Sequence, residues 1–327
     1  MKSLQVSTAL ESLIKTSQPV FLWGPPGVGK SQVVQQTAER LGLDLIDIRA
    51  LLLDPVDLRG LPSISADGLS TWCPPAFLPR QGRGVLFLDE LNAAPPLVQA
   101  ACYQLVLDRR LGEYALPGNW SVIAAGNREQ DRSVSHRMPS ALANRFVHLD
   151  FTVDASQWLG WAVATGLSPE VIAFIRFRPN LLHRFDPERD VRAFPSPRSW
   201  EFVSRLMTSG PDKSVFSDLV AGAVGAAAGA EFCGFMELWE HLPSISEILA
   251  NPTGVTIPKE PAVLFALCEL AGSALDDENA DTILAWASRL PAEFSVLLVR
   301  EAVRKNAGVV NTKAFAGWAA EHSDVLV

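Results

Sequence analysis

The 327 residues carry 28 Lys+Arg against 36 Asp+Glu, a net charge of −8, which argues against a general nucleic-acid or anionic-membrane binder. Apolar residues make up 48%, enough to build a substantial core in one large domain or two moderate ones. Cys73, Cys102, Cys233 and Cys268 form no C-x-x-C pair, no signal-peptide core opens the chain, and no apolar run of about 18 residues exists, so the expected setting is the reducing cytoplasm, without disulfides, zinc or a membrane span.

In chain order, residues 6–15 place Leu10, Leu13 and Ile14 at helical spacing. Val20-Phe21-Leu22-Trp23 reads as a buried strand. It runs into Gly24-Pro25-Pro26-Gly27-Val28-Gly29-Lys30-Ser31, which satisfies G-x-x-x-x-G-K-[ST], and a helical pattern over 32–41 follows. Strand, glycine-rich loop and helix are the context a phosphate-binding loop requires. Glycines let the backbone close on phosphate oxygens, successive N–H groups converge as an anion nest, and the helix N-terminus adds a positive dipole end. The Lys30 ammonium is expected to reach the β- and γ-phosphates and the Ser31 hydroxyl to bind Mg²⁺.

A second strand at 45–49 comes next, and then the pattern breaks. Residues 53–62 are turn-rich, and Ile64 and Leu69-Ser70-Thr71-Trp72 flank a turn at Ala66-Asp67-Gly68. A long insert between strands is functional or disordered; Trp72 and Phe77 argue for a hairpin projecting from the core. Residues 84–90 form an apolar strand ending in Asp89-Glu90 at the carboxyl edge of the sheet, where open α/β sheets bind ligands. There Asp89 is expected to hold Mg²⁺ through its water shell and Glu90 to orient and polarise an attacking water. Pro95 and Pro96 open a helix over 97–108, and 109–118 reads as a second hairpin. The strand 120–125 then delivers Asn127 to the same edge, as a holder of water or a sensor of the γ-phosphate. A polar loop at 128–138 and a short helix at 139–144 lead to Arg145 and a last strand at 146–151.

The expected fold is α/β: a five-stranded parallel sheet (20–23, 45–49, 85–89, 120–126 and 146–151) flanked by helices. Beyond 152 no strand pattern remains, and the helical stretches carry Trp158, Trp161, Phe174, Phe177, Trp200 and Phe202. A Pro-containing connector spans 178–197. Helices are expected at 199–208, 218–230, 261–275, 280–289, 292–305 and 312–321, with 221–230 inside a close-packed core helix. The domain boundary is placed at 151/152: a nucleotide-binding domain over 1–151 with inserts near 53–82 and 108–120, then a helical region over 152–327.

With these residues together, the chain resembles the AAA+ ATPases, and more closely their MoxR-like branch, over about 20–210. Gly24, Pro25, Pro26, Gly27, Val28, Gly29, Lys30 and Ser31 correspond to Walker A. Val85-Leu86-Phe87-Leu88-Asp89-Glu90, continuing as Leu91-Asn92-Ala93-Ala94-Pro95, corresponds to Walker B, and Asn127 to sensor 1. Ser140-Ala141-Leu142-Ala143-Asn144-Arg145-Phe146 is similar to the segment carrying the arginine finger, which points to Arg145; Arg128, Arg132 and Arg137 are rivals in the same region. Ser196-Pro197-Arg198-Ser199 is similar to sensor 2, with Arg198 contacting the γ-phosphate from the lid. The inserts match the helix-2 insert and the pre-sensor-1 hairpin in position.

The resemblance implies an AAA+ core followed by an all-helical lid, with ATP and Mg²⁺ as ligands. It also implies a ring, commonly a hexamer, with ATP at subunit interfaces, acting on a protein client alongside a von Willebrand factor A domain partner. Two alternatives stand beside it: a motor acting on nucleic acid, which the acidic balance opposes, and a nucleotide-gated binding module without productive hydrolysis. No residue role is carried over beyond about 210.

Overall fold

The computed structural model describes residues 1–131, 138–188, 192–240 and 242–322. Strands β1 (Val20–Trp23), β2 (Asp44–Arg49), β3 (Leu61–Ile64), β4 (Ser70–Cys73), β5 (Gly84–Asp89), β6 (Arg110–Leu111), β7 (Tyr114–Ala115), β8 (Trp120–Gly126) and β9 (Val147–Asp150) form one large sheet and two small ones. The large sheet has five parallel strands, as the sequence predicts, and their order is β2-β5-β8-β1-β9.

Alternation along the central strands decides what packs where. Side chains in a strand point to opposite faces with a period of two. Val85 and Phe87 of β5, with Val20 and Leu22 of β1, join a cluster with Val6 and Leu10 of α1 (Ser3–Lys15) and Val33, Val34 and Ala38 of α2 (Lys30–Arg40). Leu86 and Leu88, with Phe21 and Val122, face the other way. They pack with Val98, Cys102 and Leu105 of a helix spanning Pro96–Asp108 and with Leu58 of a short helix spanning Pro55–Arg59. Both faces of the sheet are therefore covered, and β5 is buried along all but its last residue, Asp89. That residue surfaces at the carboxyl edge because the strand ends there.

The stretch 53–62, turn-rich by sequence, contains the Pro55–Arg59 helix. Pro55 opens it, and the Asp54 N–H donates to the Asp57 carboxylate at 2.8 Å. This is the reciprocal capping that lets so short a helix form. β3 and β4 then pair antiparallel as the expected hairpin, with every residue exposed, Ile64 at 79% and Leu61 at 66% among them. The second hairpin, β6–β7, is only two residues per strand. One bond joins the two hairpins, the Glu113 carboxylate accepting from Trp72 N at 3.3 Å; the segment after β4 is held by the Tyr114 hydroxyl, which donates to Pro79 O at 2.5 Å, and by the Trp120 indole of β8, which donates to Gln81 O at 3.0 Å.

Contacts divide the chain into two compact units, Met1–Trp161 with His183–Ser199, and Ala162–Leu182 with Trp200–Val327. Residues 152–161 and 183–199 thus belong with the sheet, whereas the sequence suggests a cut at 151. The second unit contains no strand among its described residues. Its helices include Pro169–Phe177, Lys213–Val224, Ala226–Glu240, Ile245–Ala250, Pro261–Ala274, Ala280–Ala287, Ala292–Lys305 and Lys313–Glu321. The helix expected across 218–230 is broken at Gly225, whose φ of 87° no right-handed helix can accommodate; the chain restarts as Ala226–Glu240. Phe174 centres an aromatic cluster, 5.3 Å from Trp200 and 5.2 Å from Phe232. Phe174, Trp200 and Phe232 are buried core residues, whereas Phe202 is 46% exposed. Arg176 pairs in the interior with Glu269 and, at 2.7 Å, with Glu301, which Arg304 also contacts at 2.6 Å.

Candidate active site

The phosphate-binding loop lies between β1 and α2, at the carboxyl edge where β5 and β8 also end. Lys30 and Ser31 open α2 and project toward those two strand ends. The Lys30 ammonium donates to Gly24 O at 2.7 Å, to Pro25 O at 3.1 Å and to the Asn127 carboxamide oxygen at 2.7 Å. All three of its protons are thereby engaged. The Ser31 hydroxyl donates to Asp89 Oδ2 at 2.7 Å. Lys30, Ser31, Asp89 and Asn127, spread over about a hundred residues of sequence, form one hydrogen-bonded group.

Burial pulls the Lys30 pKa from 10.5 down to about 8; Asp89 and Asp131 draw it back up, and the Arg198 charge lowers it further. Glu90, partly exposed beside this group, has φ 56° and ψ 32°. A left-handed backbone is strained for a residue with a β-carbon, and such strain concentrates at functional positions. Its N–H donates to Asp89 Oδ1 at 3.0 Å, so the turn that orients Glu90 is tied to the other acid.

His183, Asp131 and Arg198 also lie near the loop, the first two without belonging to any motif. The His183 ring nitrogen Nε2 lies 3.3 Å from Pro26 O; burial holds the His183 pKa below its usual value, so the neutral ring donates there. Asp131 is buried and accepts from Arg128 N at 3.0 Å. Arg198 N donates to Gly27 O at 3.4 Å, which places Arg198 beside the loop in the first unit. Its side chain is exposed. Next to α2, a cavity of about 560 Å³ is lined by Leu4, Val28, Gln32, Val153, Trp158 and Trp161.

Among the arginine candidates, Arg128 is engaged within its own chain: Nη2 donates to Phe151 O at 3.2 Å and Nε lies 3.6 Å from Asp150. Arg132 and Arg137 lie outside the described residues. Arg145 is exposed, and among the described residues no hydrogen bond or ion pair engages its guanidinium. Just behind it, the Trp23 indole donates to His148 Nδ1 at 2.8 Å. His148 in turn keeps its proton on Nε2, 2.8 Å from Ala143 O.

Ser31 and Asp89 offer only oxygen donors, the kind that a hard divalent cation such as Mg²⁺ takes, usually with retained waters. A glycine loop, an acidic strand end and an asparagine on the adjacent strand define a P-loop nucleotide-binding domain. Residues 19–146 match the family described as AAA domain (dynein-related subfamily). The denitrification regulatory protein NirQ of Pseudomonas aeruginosa is 30% identical over 206 residues, covering 59% of this chain and 78% of that protein. Midasin of Giardia intestinalis is 29% identical over 161 residues, 46% of this chain but 3% of midasin. Among solved structures, NtrX from Brucella abortus in complex with ADP aligns at 15% identity and a TM-score of 0.42 over 98% of this chain and 67% of that one. The chain belongs to the AAA+ ATPase family, and nucleotide binding comes with the family.

Proposed function

We propose that this protein is a MoxR-like AAA+ motor that hydrolyses ATP at the interfaces of a ring, commonly a hexamer, to remodel or activate a protein client in the cytoplasm. What carries the proposal is the hydrogen-bonded group joining Lys30 to Asn127 and Ser31 to Asp89, with Glu90 held alongside in a strained turn. ATP phosphates lie in the cradle of residues 24–31, where Lys30 exchanges one of its present acceptors for phosphate oxygen. The nucleoside fits the cavity beside α2. Ser31 and Asp89 hold Mg²⁺, which supplies charge neutralisation on the phosphate oxygens. Glu90 orients the attacking water and takes its proton, and Asn127 fixes the position of that water or of the γ-phosphate. Arg198 reaches the γ-phosphate from the same chain.

Arg145 completes the site of the neighbouring subunit. Among the described residues no hydrogen bond or ion pair holds its guanidinium, which supports that assignment, since a finger acting in trans must be available to another subunit. The exposed β3–β4 hairpin, with Leu61, Ile64 and Leu69 uncovered and no lysine or arginine between residues 60 and 79, suits a protein client rather than a phosphodiester chain. A von Willebrand factor A domain protein is the proposed partner. Glu90→Gln tests the chemistry. It should bind ATP and assemble while hydrolysing at least about a hundredfold more slowly, as expected for loss of a general base. Hydrolysis at the parental rate would remove Glu90 from the mechanism. The same trapped form, used as bait, should retain the client and the partner.

A further inference from the structure

We infer that Asn92 is a positioning residue that sets Asn127 for hydrolysis, linking the end of the acidic strand β5 to the sensing asparagine after β8. The inference rests on the ATPase reading above. Asn92 lies in the short 3-10 turn Leu91–Ala93, immediately behind Asp89 and Glu90, and is only 2% exposed. Its carboxamide Nδ2 donates to the backbone oxygen of Asn127 at 2.7 Å. On its other side, Asn92 Oδ1 occupies the space a side chain on Gly126 would need: a Cβ there would fall 2.0 Å from that oxygen. The last residue of β8 is glycine where the Asn92 carboxamide passes. No backbone conformation peculiar to glycine is needed to explain it, since Gly126 has no positive φ.

The turn carrying Asn92 is held in its own right. Gln99, also 2% exposed, reaches back from the following helix; its Nε2 donates to Ala94 O at 3.0 Å and to Asn92 O at 3.4 Å. A continuous line therefore runs from Gln99 through the turn to Asn92, from Asn92 to the Asn127 backbone, and from the Asn127 side chain to Lys30 at 2.7 Å. The physical consequence is specific. β8 ends at Gly126, so the backbone of Asn127 has left the sheet ladder and depends on other partners for its placement. Asn92 supplies one, and a buried carboxamide that loses its acceptor is costly, so the contact holds both ends. Because Asn92 follows Glu90 by two residues, any movement of the Asp89-Glu90 turn is passed to Asn127. Asn92 touches neither Lys30 nor Ser31. It acts through Asn127, as an outer-sphere group orients one that meets the reacting atoms.

The test is a double-mutant cycle in steady-state ATPase assays with Asn92→Ala, Asn127→Ala and the double variant in the full chain. Nucleotide affinity and thermal unfolding are measured alongside. Asn92→Ala should lower kcat by roughly tenfold or more while KM for ATP stays within about twofold, and adding it to Asn127→Ala should cost little further. Losses that multiply, a kcat equal to the parental one, or a KM that rises in step with the fall in kcat would overturn the inference. Asn92→Asp keeps the shape and removes the donor, so it probes the same contact, with the same expected loss, if the alanine variant folds poorly. A readout independent of turnover is the Asn127 side-chain amide resonance, assigned by its loss in Asn127→Ala. It should shift in Asn92→Asp, and an unmoved resonance refutes the positioning role. Absence of hydrolysis in the parental protein would count against the ATPase reading alone.

Discussion

Lys30 gives the sharpest quantitative consequence of the site. Its ammonium is packed against Gly24 O, Pro25 O and the Asn127 carboxamide, and burial brings its pKa to about 8. A bound triphosphate places negative charge beside it and restores the charged form across the accessible pH range. With a pKa near 8, about nine in ten Lys30 side chains are charged at pH 7 and about one in ten at pH 9. ATP binding must then take up a proton, and affinity should fall roughly tenfold between pH 7 and pH 9. Calorimetric titrations at pH 8.5 in two buffers of different ionisation heat should reveal uptake of about 0.8 proton per site. The sign reverses for stability without added nucleotide. The folded-state pKa lies below the unfolded value of 10.5, so between about 8 and 10.5 the unfolded chain binds more protons and this group's contribution rises with pH. Lys30→Arg, which cannot deprotonate, should abolish the uptake. Flat affinity from pH 7 to 9 with no proton uptake would mean that Lys30 is already fully charged before nucleotide binds.

Ser31→Ala should raise the Mg²⁺ concentration needed for half-maximal turnover while leaving metal-free nucleotide binding close to parental; a Mg²⁺ titration of ATPase rate checks it. In the helical unit, Arg176→Ala strands Glu269, less than a tenth exposed, and leaves Glu301 with Arg304 alone; it should cost about 3–5 kcal/mol in denaturant unfolding. For Glu301, burial alone would raise the carboxyl pKa, but hydrogen bonds from Arg176 and Arg304 outweigh it and the net shift is downward. Its contribution to stability is therefore complete above the ordinary glutamate range and disappears as pH falls through the lowered value. Acid unfolding of Arg304→Gln should begin at higher pH than in the parental protein.

The sheet was legible because its signals are local. Four apolar residues before Gly24, an apolar run ending at Asp89 and another ending at Gly126 each announce a buried parallel strand, and the loop motif orders them. Helices broken by a single residue were harder: nothing in the run Ala221 to Ala230 distinguishes Gly225, which turns the chain, from Gly222 and Gly229, which stay helical. At Pro55, turn chemistry and helix-start chemistry share the same residues, so the short helix there reads equally well as a loop. Asn92 and His183 bear on the site through partners 35 and 157 residues away, and Gln99 and Asp131 through local partners 5 and 3 residues away that match no motif. Only Asn92 has a sequence cue, its place directly behind the two acids. Residues 183–199 group with the sheet across an intervening helical stretch, an association over long sequence separation that no local pattern announces.

If each site is shared between subunits, with Arg145 acting in trans, two inactive variants should complement each other when mixed. Arg145→Ala keeps an intact pocket and lacks the finger; Glu90→Gln keeps the finger and lacks the general base. Each alone should be nearly inactive. In rings assembled from equal amounts, about a quarter of interfaces pair an intact pocket with an intact finger, and roughly that fraction of parental ATPase activity should return. Mixed rings, verified by mass, that remain inactive would contradict the shared site.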